Sequence, residues 1–465
     1  MRGSPYNRRM SATEPAAGSV TSTGRVFQRV LGRELPRAVR AEGCTIWDAD
    51  GRAYLDAAGG AVVVNVGHGR QSIVDAAEKQ ARDFTYVHGT TFTSEPLETY
   101  ARAVGRYLPL DDPAIYPVSG GSEAIESALK MARTYHLARR EPDRTVVIAR
   151  HGSYHGNSLG ALDLSGREPL RRPYEPWLGR FRHVSAAYPY RGGEAAAHAL
   201  GDADQLAAEL EAAIVEAGQG RVAAFVAEPI VGATLGAVVP PDGYWPAVAA
   251  VCRRHGVLLI ADEVMTGFGR TGRWFGLDHW GVRADVMAAA KGVAGGYFPL
   301  GLAVASGAVY DTIAAGGGLV HGFTYSHSPV GAAVALEVLR ILEREDLVAA
   351  SRTKGERLLG LVSDRLASDA NVGEVRGRGL LVGIELVADR STRRPFPRQA
   401  RLVEAVMAHA RDAGLLLYHG TGNADGTNGD TILLGPPFVV TDAEMATIAE
   451  TLGEAVERAT AEVAG

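Results

Sequence analysis

Cysteine is nearly absent from this chain: Cys44 and Cys252 are the two in 465 residues. Two scattered thiols build neither a disulfide framework nor a metal cluster, so the composition points to a reducing compartment. No run approaches the ~18 apolar residues of a membrane-crossing helix. The first residues lack the apolar core of a secretory signal. Basic surplus is missing too. A formal charge of −5 argues against nucleic acid as the main partner, because neutralising phosphates takes an excess of lysine and arginine. No convincing Gly-x-Gly-x-x-Gly turn follows the first strand, which disfavours a nicotinamide oxidoreductase. What remains is ordinary for a soluble globular protein, 46% hydrophobic and 22% charged. The expectation is a cytoplasmic enzyme whose length allows one to three domains.

The chain is organised around Lys291. An apolar run, Val286-Met-Ala-Ala-Ala290, ends in this lysine, and a glycine-rich turn follows. The run reads as a buried strand of a parallel sheet, and ligands of such sheets sit beyond the carboxyl ends of the strands. Burial among small apolar neighbours disfavours the charged amine and lowers its pKa. A neutral amine attacks carbonyls and forms Schiff bases. Two more apolar runs end in carboxylates: Val222 to Glu228, and Val257 to Asp262 and Glu263. Asp262 lies 34 residues after Glu228, and Lys291 lies 29 after Asp262. Each interval is about one strand–helix–strand unit, so two acids and a lysine are expected along one edge of one sheet. A buried carboxylate needs a cation or donor. Asp262 suits a protonated pyridine nitrogen, the partner that pyridoxal phosphate requires to act as an electron sink.

A phosphate site is also indicated. Ala114–Val118 is strand-like, Ser119-Gly-Gly121-Ser122-Glu123 follows, and a helix carries Ile125, Ala128, Leu129 and Ala132 on one face. A helix N-terminus offers unpaired N–H groups and a positive dipole end to an anion. Ser122 alone has a commoner role as an N-cap.

At this point the chain resembles the class III (ω-amino acid type) pyridoxal-phosphate-dependent aminotransferases. The matching motifs are SGGSEA at 119–124, SYHG at 153–156, AEPI at 227–230, ADEVMTGFGRTG at 261–272, AAAKG at 288–292 and HGFTYSHSP at 321–329. They stand in the family's order and spacing, and the likeness runs from about residue 25 to the end. It implies fold type I: an α/β cofactor domain with a mostly parallel central sheet, over 76–328, and a smaller α+β domain. The smaller domain takes residues 25–75 and 329–465, and 1–24 form a flexible lead. The resemblance assigns Lys291 as Schiff-base lysine and proton shuttle. Asp262 goes to the pyridinium, and Glu228 to the ring edge or the acceptor carboxylate. Gly121 and Ser122 go to the phosphate, Tyr154 to stacking on the ring, and Val264 to the opposite face. It implies a homodimer in which Thr324 reaches the phosphate of the neighbouring site. No metal is implied. The reaction would move an amino group from an amine or ω-amino acid to a keto acid such as pyruvate by ping-pong turnover.

Other stretches fill in the frame. Thr45–Trp47 and Arg52–Leu55 flank a turn and read as a hairpin. His68 reads as structural. Residues 165–192, rich in Arg and Pro, read as a long surface loop. Residues 205–216 and 245–254 are helical, 329–344 is a long helix bridging the two domains, 375–386 a hairpin, and Thr441-x-x-Glu444 a capping box for the last helix.

The substrate side departs from the family. Val62 stands where a larger residue often lines the pocket, which implies more room. Many members place a carboxylate-gripping arginine near the C-terminus, where this chain has Tyr418. Arg270, His419 or a partner-chain residue are the alternatives for that grip, although Arg270 reads first as structural. A donor without a carboxylate near its amine fits better. An aminomutase or racemase of the same family, and a non-catalytic cofactor-binding protein, are the competing readings.

Overall fold

The computed structural model describes residues 26–29, 34–193 and 198–464. The lead segment 1–24 lies outside them. The centre is a seven-stranded sheet in the order Ala114–Val118, Gly301–Ala305, Val286–Ala289, Leu258–Asp262, Val222–Ala227, Val146–Arg150, Arg182–Val184. Gly301–Ala305 runs antiparallel to both its neighbours, and every other pairing is parallel. Six strands therefore point the same way. The four from Gly301–Ala305 to Val222–Ala227 are buried at every position and, apart from the terminal Asp262, carry only apolar residues and one glycine, as a sheet covered by helices requires.

Helices form where the pattern turns from continuous to amphipathic. Ala203–Ala217 buries Leu206, Leu210 and Ile214, and Asp202 caps it by accepting from the Gln205 N–H at 2.9 Å. Tyr244–His255 ends in Arg253, Arg254 and His255, where cations suit the dipole, and stops at Gly256 with φ +62°. The next crossover, from Asp262 to Val286, contains no α-helix. Glu263 takes over its organisation: its buried carboxylate accepts from the N–H groups of Gly276 (2.8 Å) and Leu277 (2.9 Å) and from the Thr266 hydroxyl. Residues 165–192, expected as loop, supply the seventh strand, Arg182–Val184.

Two four-stranded sheets, and a two-stranded one pairing Ala186–Ala187 with Ala199–Leu200, complete the α/β fold. Ala38–Glu42, Thr45–Asp48 and Ala53–Asp56 form an antiparallel ribbon that Leu415–Leu416 joins in parallel. Val372–Arg378, Leu381–Leu386, Asp430–Leu434 and Tyr418–Thr421 form an antiparallel sheet. Helices Leu347–Leu366, Leu402–Asp412 and Asp442–Ala464 pack together around it. Glu444 accepts from the Thr441 N–H at 2.7 Å and Thr441 Oγ1 accepts from the Glu444 N–H at 3.2 Å, closing the expected capping box. The long helix Pro329–Arg344 lies against Gln71–Asp83 and Glu95–Gly105. Among the described residues no helix is long and apolar enough to cross a membrane.

Candidate active site

Five motifs leave the carboxyl ends of five co-directional strands, so they meet at one edge of the sheet. Asp262 closes its strand and is 3% exposed. Its Oδ1 accepts from the Val264 N–H at 3.0 Å, and its Oδ2 lies 2.7 Å from His155 Nδ1. His155 is itself buried, and its backbone N–H donates to Ser165 Oγ at 2.8 Å. Its Nε2 has no hydrogen-bond partner among the described residues. This buried pair orients the carboxylate, and residue-by-residue reading of the sequence did not assign it.

Lys291 opens a short 3₁₀ turn with φ +48°, a left-handed backbone that costs energy outside glycine. Burial pushes its amine down to about 8, while Asp262 and Glu228 pull it up and Arg270 pushes it further down. Glu228, also buried, has its carboxyl pushed up by burial and by Asp262. Arg150 holds the strand end around it, donating to the Glu228 carbonyl at 2.6 Å, with Nη2 3.8 Å from Oε2. Lys291 thus carries an easily neutralised amine that feels the charge of both carboxyls.

The helix Gly121–Ala138 begins beside this cluster. The N–H groups of Gly121, Ser122 and Glu123 find no partner among the described residues, while Ser119 N–H is taken by Glu123 Oε2 at 2.8 Å. A Cβ on Gly121 would stand 3.1 Å from Val264, so glycine lets the helix end approach that side chain. Ser122 Oγ accepts from the Asn157 N–H at 3.1 Å, tying the SYHG turn to the helix start. Tyr154 is 37% exposed, and its hydroxyl accepts from Asn157 Nδ2 at 3.2 Å. Burial and the nearby Tyr418 and Asp262 push its phenol up. Thr324 is exposed on the 319–328 loop, which packs along Ala114–Val118 through the Tyr116–His321 and Tyr116–His327 ring contacts.

Two residues named for the substrate side lie buried. Arg270 is 3% exposed and donates to the carbonyls of Leu380 (3.0 Å), Pro436 (2.7 Å) and Val64 (2.9 Å). Three carbonyls from distant segments occupy its guanidinium, which fits the structural role it was first given. Val62 is 2% exposed, packed with Ile230 and Leu433 and pressed on Gly435. It sits in an apolar cluster. Tyr418 packs at the margin of the same cluster. His68 is paired with Asp56 at 3.1 Å, a structural contact.

The family model "Aminotransferase class-III" matches residues 32–456. The chain belongs to the class-III aminotransferase family. It is an aminotransferase, 36% identical over 408 residues to the putrescine–pyruvate aminotransferase of Pseudomonas aeruginosa, covering 87% of each chain. It is 36% identical over 433 residues to the taurine–pyruvate aminotransferase of Rhodobacter capsulatus, covering 90% of this chain and 91% of that one. The ω-transaminase of Pseudomonas jessenii, solved in complex with PMP, superimposes with a TM-score of 0.88 at 31% identity, covering 95% of this chain and 98% of that one. Class-III aminotransferases depend on pyridoxal phosphate, and this aminotransferase presents donors that suit it. The unpaired N–H groups at residues 121–123 suit a phosphate, buried Asp262 suits a pyridinium nitrogen, and the Lys291 amine suits an aldehyde.

Proposed function

We propose that this aminotransferase holds pyridoxal phosphate on Lys291 and moves an amino group from an amine or ω-amino acid to a keto acid such as pyruvate. The observation carrying this reading is the meeting of Lys291, Asp262 and Glu228 at one sheet edge, with the lysine amine lowered to about 8. When bound, the cofactor supplies an electron-withdrawing ring that stabilises negative charge on the donor carbon. Asp262, fixed by His155, keeps a proton on the ring nitrogen. The Lys291 amine would take and return the proton at the donor carbon. Glu228, whose carboxyl is pushed up by burial, would stand near the ring edge. Tyr154 and Val264 would bracket the ring, and residues 121–123 would hold the phosphate.

The working unit in this reading is a homodimer in the cytoplasm, with Thr324 donating to the partner's phosphate site. Exposed Phe84, Tyr86, Phe92 and Tyr325 favour such an interface, and the two free cysteines favour a reducing compartment. Residues 76–328 act as the cofactor domain, with 25–75 and 329–465 as the second. The pairing of Ala53–Asp56 with Leu415–Leu416 supports joining those two segments. The relatives acting on putrescine and taurine favour a donor whose amine is remote from, or lacks, a carboxylate.

The test is a half-reaction screen. Protein with pyridoxal phosphate and no keto acid receives diamines, simple amines, ω-amino acids and α-amino acids singly. Loss of the yellow absorbance with one class, restored by pyruvate, is the expected result. A yellow protein that no donor bleaches would overturn transamination, and one that never turns yellow would overturn the Lys291 assignment.

A further inference from the structure

The turn that carries Lys291 closes around one buried amide. Asn65, 1% exposed, belongs to the segment after strand Ala53–Asp56 and reaches the glycine-rich turn at 291–296. Its Nδ2 donates to the Gly292 carbonyl at 3.0 Å and reaches the Phe268 carbonyl at 3.5 Å. Its Oδ1 accepts from the Val66 N–H at 2.8 Å. A Cβ on Gly295 would stand 2.8 Å from Asn65 Oδ1, and one on Gly292 3.2 Å from Nδ2, so glycines let the turn close on the amide. Within the turn the Lys291 carbonyl accepts from the N–H groups of Ala294 (3.2 Å) and Gly295 (3.0 Å). Asn65 is itself anchored. Its carbonyl accepts from the Phe438 N–H at 2.7 Å, and the Val64 carbonyl before it accepts from Arg270. Just past the turn, the Tyr297 hydroxyl accepts from the Arg70 N–H and donates to the Gly67 carbonyl, both at 2.8 Å. Lys291 needs such a holder. Its φ of +48° is costly for a residue with a Cβ and persists only where the surroundings impose it. Gly292 is buried, and its carbonyl without the Asn65 donor would be left unsatisfied, which favours a rotated turn and a displaced amine.

We propose that Asn65 is a positioning residue: it holds the Lys291 turn in its left-handed form and so aims the lysine amine at the cofactor's aldehyde. This rests on the Lys291 reading above. The test compares wild type, Asn65→Ala and Asn65→Asp as apo protein with two ligands. Pyridoxal phosphate carries the aldehyde and is captured when the amine nitrogen bonds to the aldehyde carbon and water leaves. Pyridoxamine phosphate carries an amine there and binds without that bond. In both variants the rate of pyridoxal phosphate capture falls roughly 10- to 100-fold, the scale of misplacing a reacting group by about 1 Å. The Kd for pyridoxamine phosphate stays within roughly twofold of wild type. Asn65→Asp keeps the side chain's size and its acceptor and lacks only the donor, so it reports even if the alanine variant folds poorly. Capture within roughly twofold of wild type, or an equal loss for both ligands, overturns the proposal. Borohydride reduction followed by peptide mapping separates the two readings. Wild type labelled at Lys291 with unchanged capture in the variants overturns the role of Asn65 alone. Wild type labelled at another lysine overturns the Lys291 reading and this proposal with it.

Discussion

A lysine amine reacts only when neutral, and burial sets the pH at which Lys291 gets there. The amine is lowered to about 8 from the usual 10.5, so its neutral fraction grows as pH rises through that value. The rate at which apo protein captures pyridoxal phosphate, followed by visible absorbance, should inflect near pH 8. Asp262 holds the amine up, so Asp262→Asn should move the inflection to lower pH. An unmoved inflection would mean the two groups do not interact. Lys291→Ala should lower turnover by roughly 10²- to 10⁴-fold or more. His155 acts one step back. Removing it leaves a carboxylate buried without its partner, and uncompensated buried charge is worth about 3 kcal/mol or more. His155→Ala should lower the unfolding free energy of the apo protein by about that much, read as a lower urea midpoint. A midpoint equal to wild type would show that Asp262 finds another partner.

At the scale of elements, the fit of one helix to one hairpin is set by a single glycine. Gly355 lies within Leu347–Leu366, and a Cβ there would stand 2.1 Å from the backbone of Gly379, at the turn between Val372–Arg378 and Leu381–Leu386. No flexible side chain can yield, so Gly355→Ala must push the helix off the sheet. The expected cost is about 1–3 kcal/mol, despite alanine's better helix propensity, read as a loss in unfolding midpoint. An unchanged or raised midpoint would show that the hairpin turn moves freely. Helices such as Ala203–Ala217 were legible as apolar periodicity, and the strands ending at Glu228, Asp262 and Lys291 were legible as short apolar runs bounded by polar or glycine residues. Gly301–Ala305 was not read from the chain, because its few apolar residues lie between a glycine-rich loop and the next helix. Arg182–Val184 was read as loop, since three residues with two basic side chains show no period. The site divided in the same way. Motif residues at strand ends could be placed from the sequence. The partners of His155 and Arg270 could not, because they lie more than 100 residues away and, for Arg270, are backbone carbonyls that no residue type announces.

Across the whole molecule, a buried ionic cluster joins the edge of the central sheet to the C-terminal antiparallel sheet. Glu385, in Leu381–Leu386, accepts from Tyr188 and Arg191 on one side and from Arg376 (2.7 Å) and Asn423 (2.9 Å) on the other. Arg376 continues the link by donating to the carbonyls of Gly236 (2.8 Å) and Leu235, in the segment that follows Glu228. Glu385 and Arg191 are fully enclosed. Such a cluster contributes little as net stability over an apolar packing of the same shape, because desolvation offsets the attraction. Its effect shows when it is broken. Glu385→Ala leaves two guanidiniums buried around an empty place, so it should destabilise by about 3–5 kcal/mol. The exposed pair Arg82–Glu78 makes the control: with side chains 75% and 54% exposed, Glu78→Ala should leave the urea midpoint near wild type. Because the cluster also anchors the chain beyond Glu228, Glu385→Ala should reduce cofactor capture at temperatures where the variant is still folded by circular dichroism. Full capture with a lowered midpoint would confine the cluster's role to holding the two sheets together.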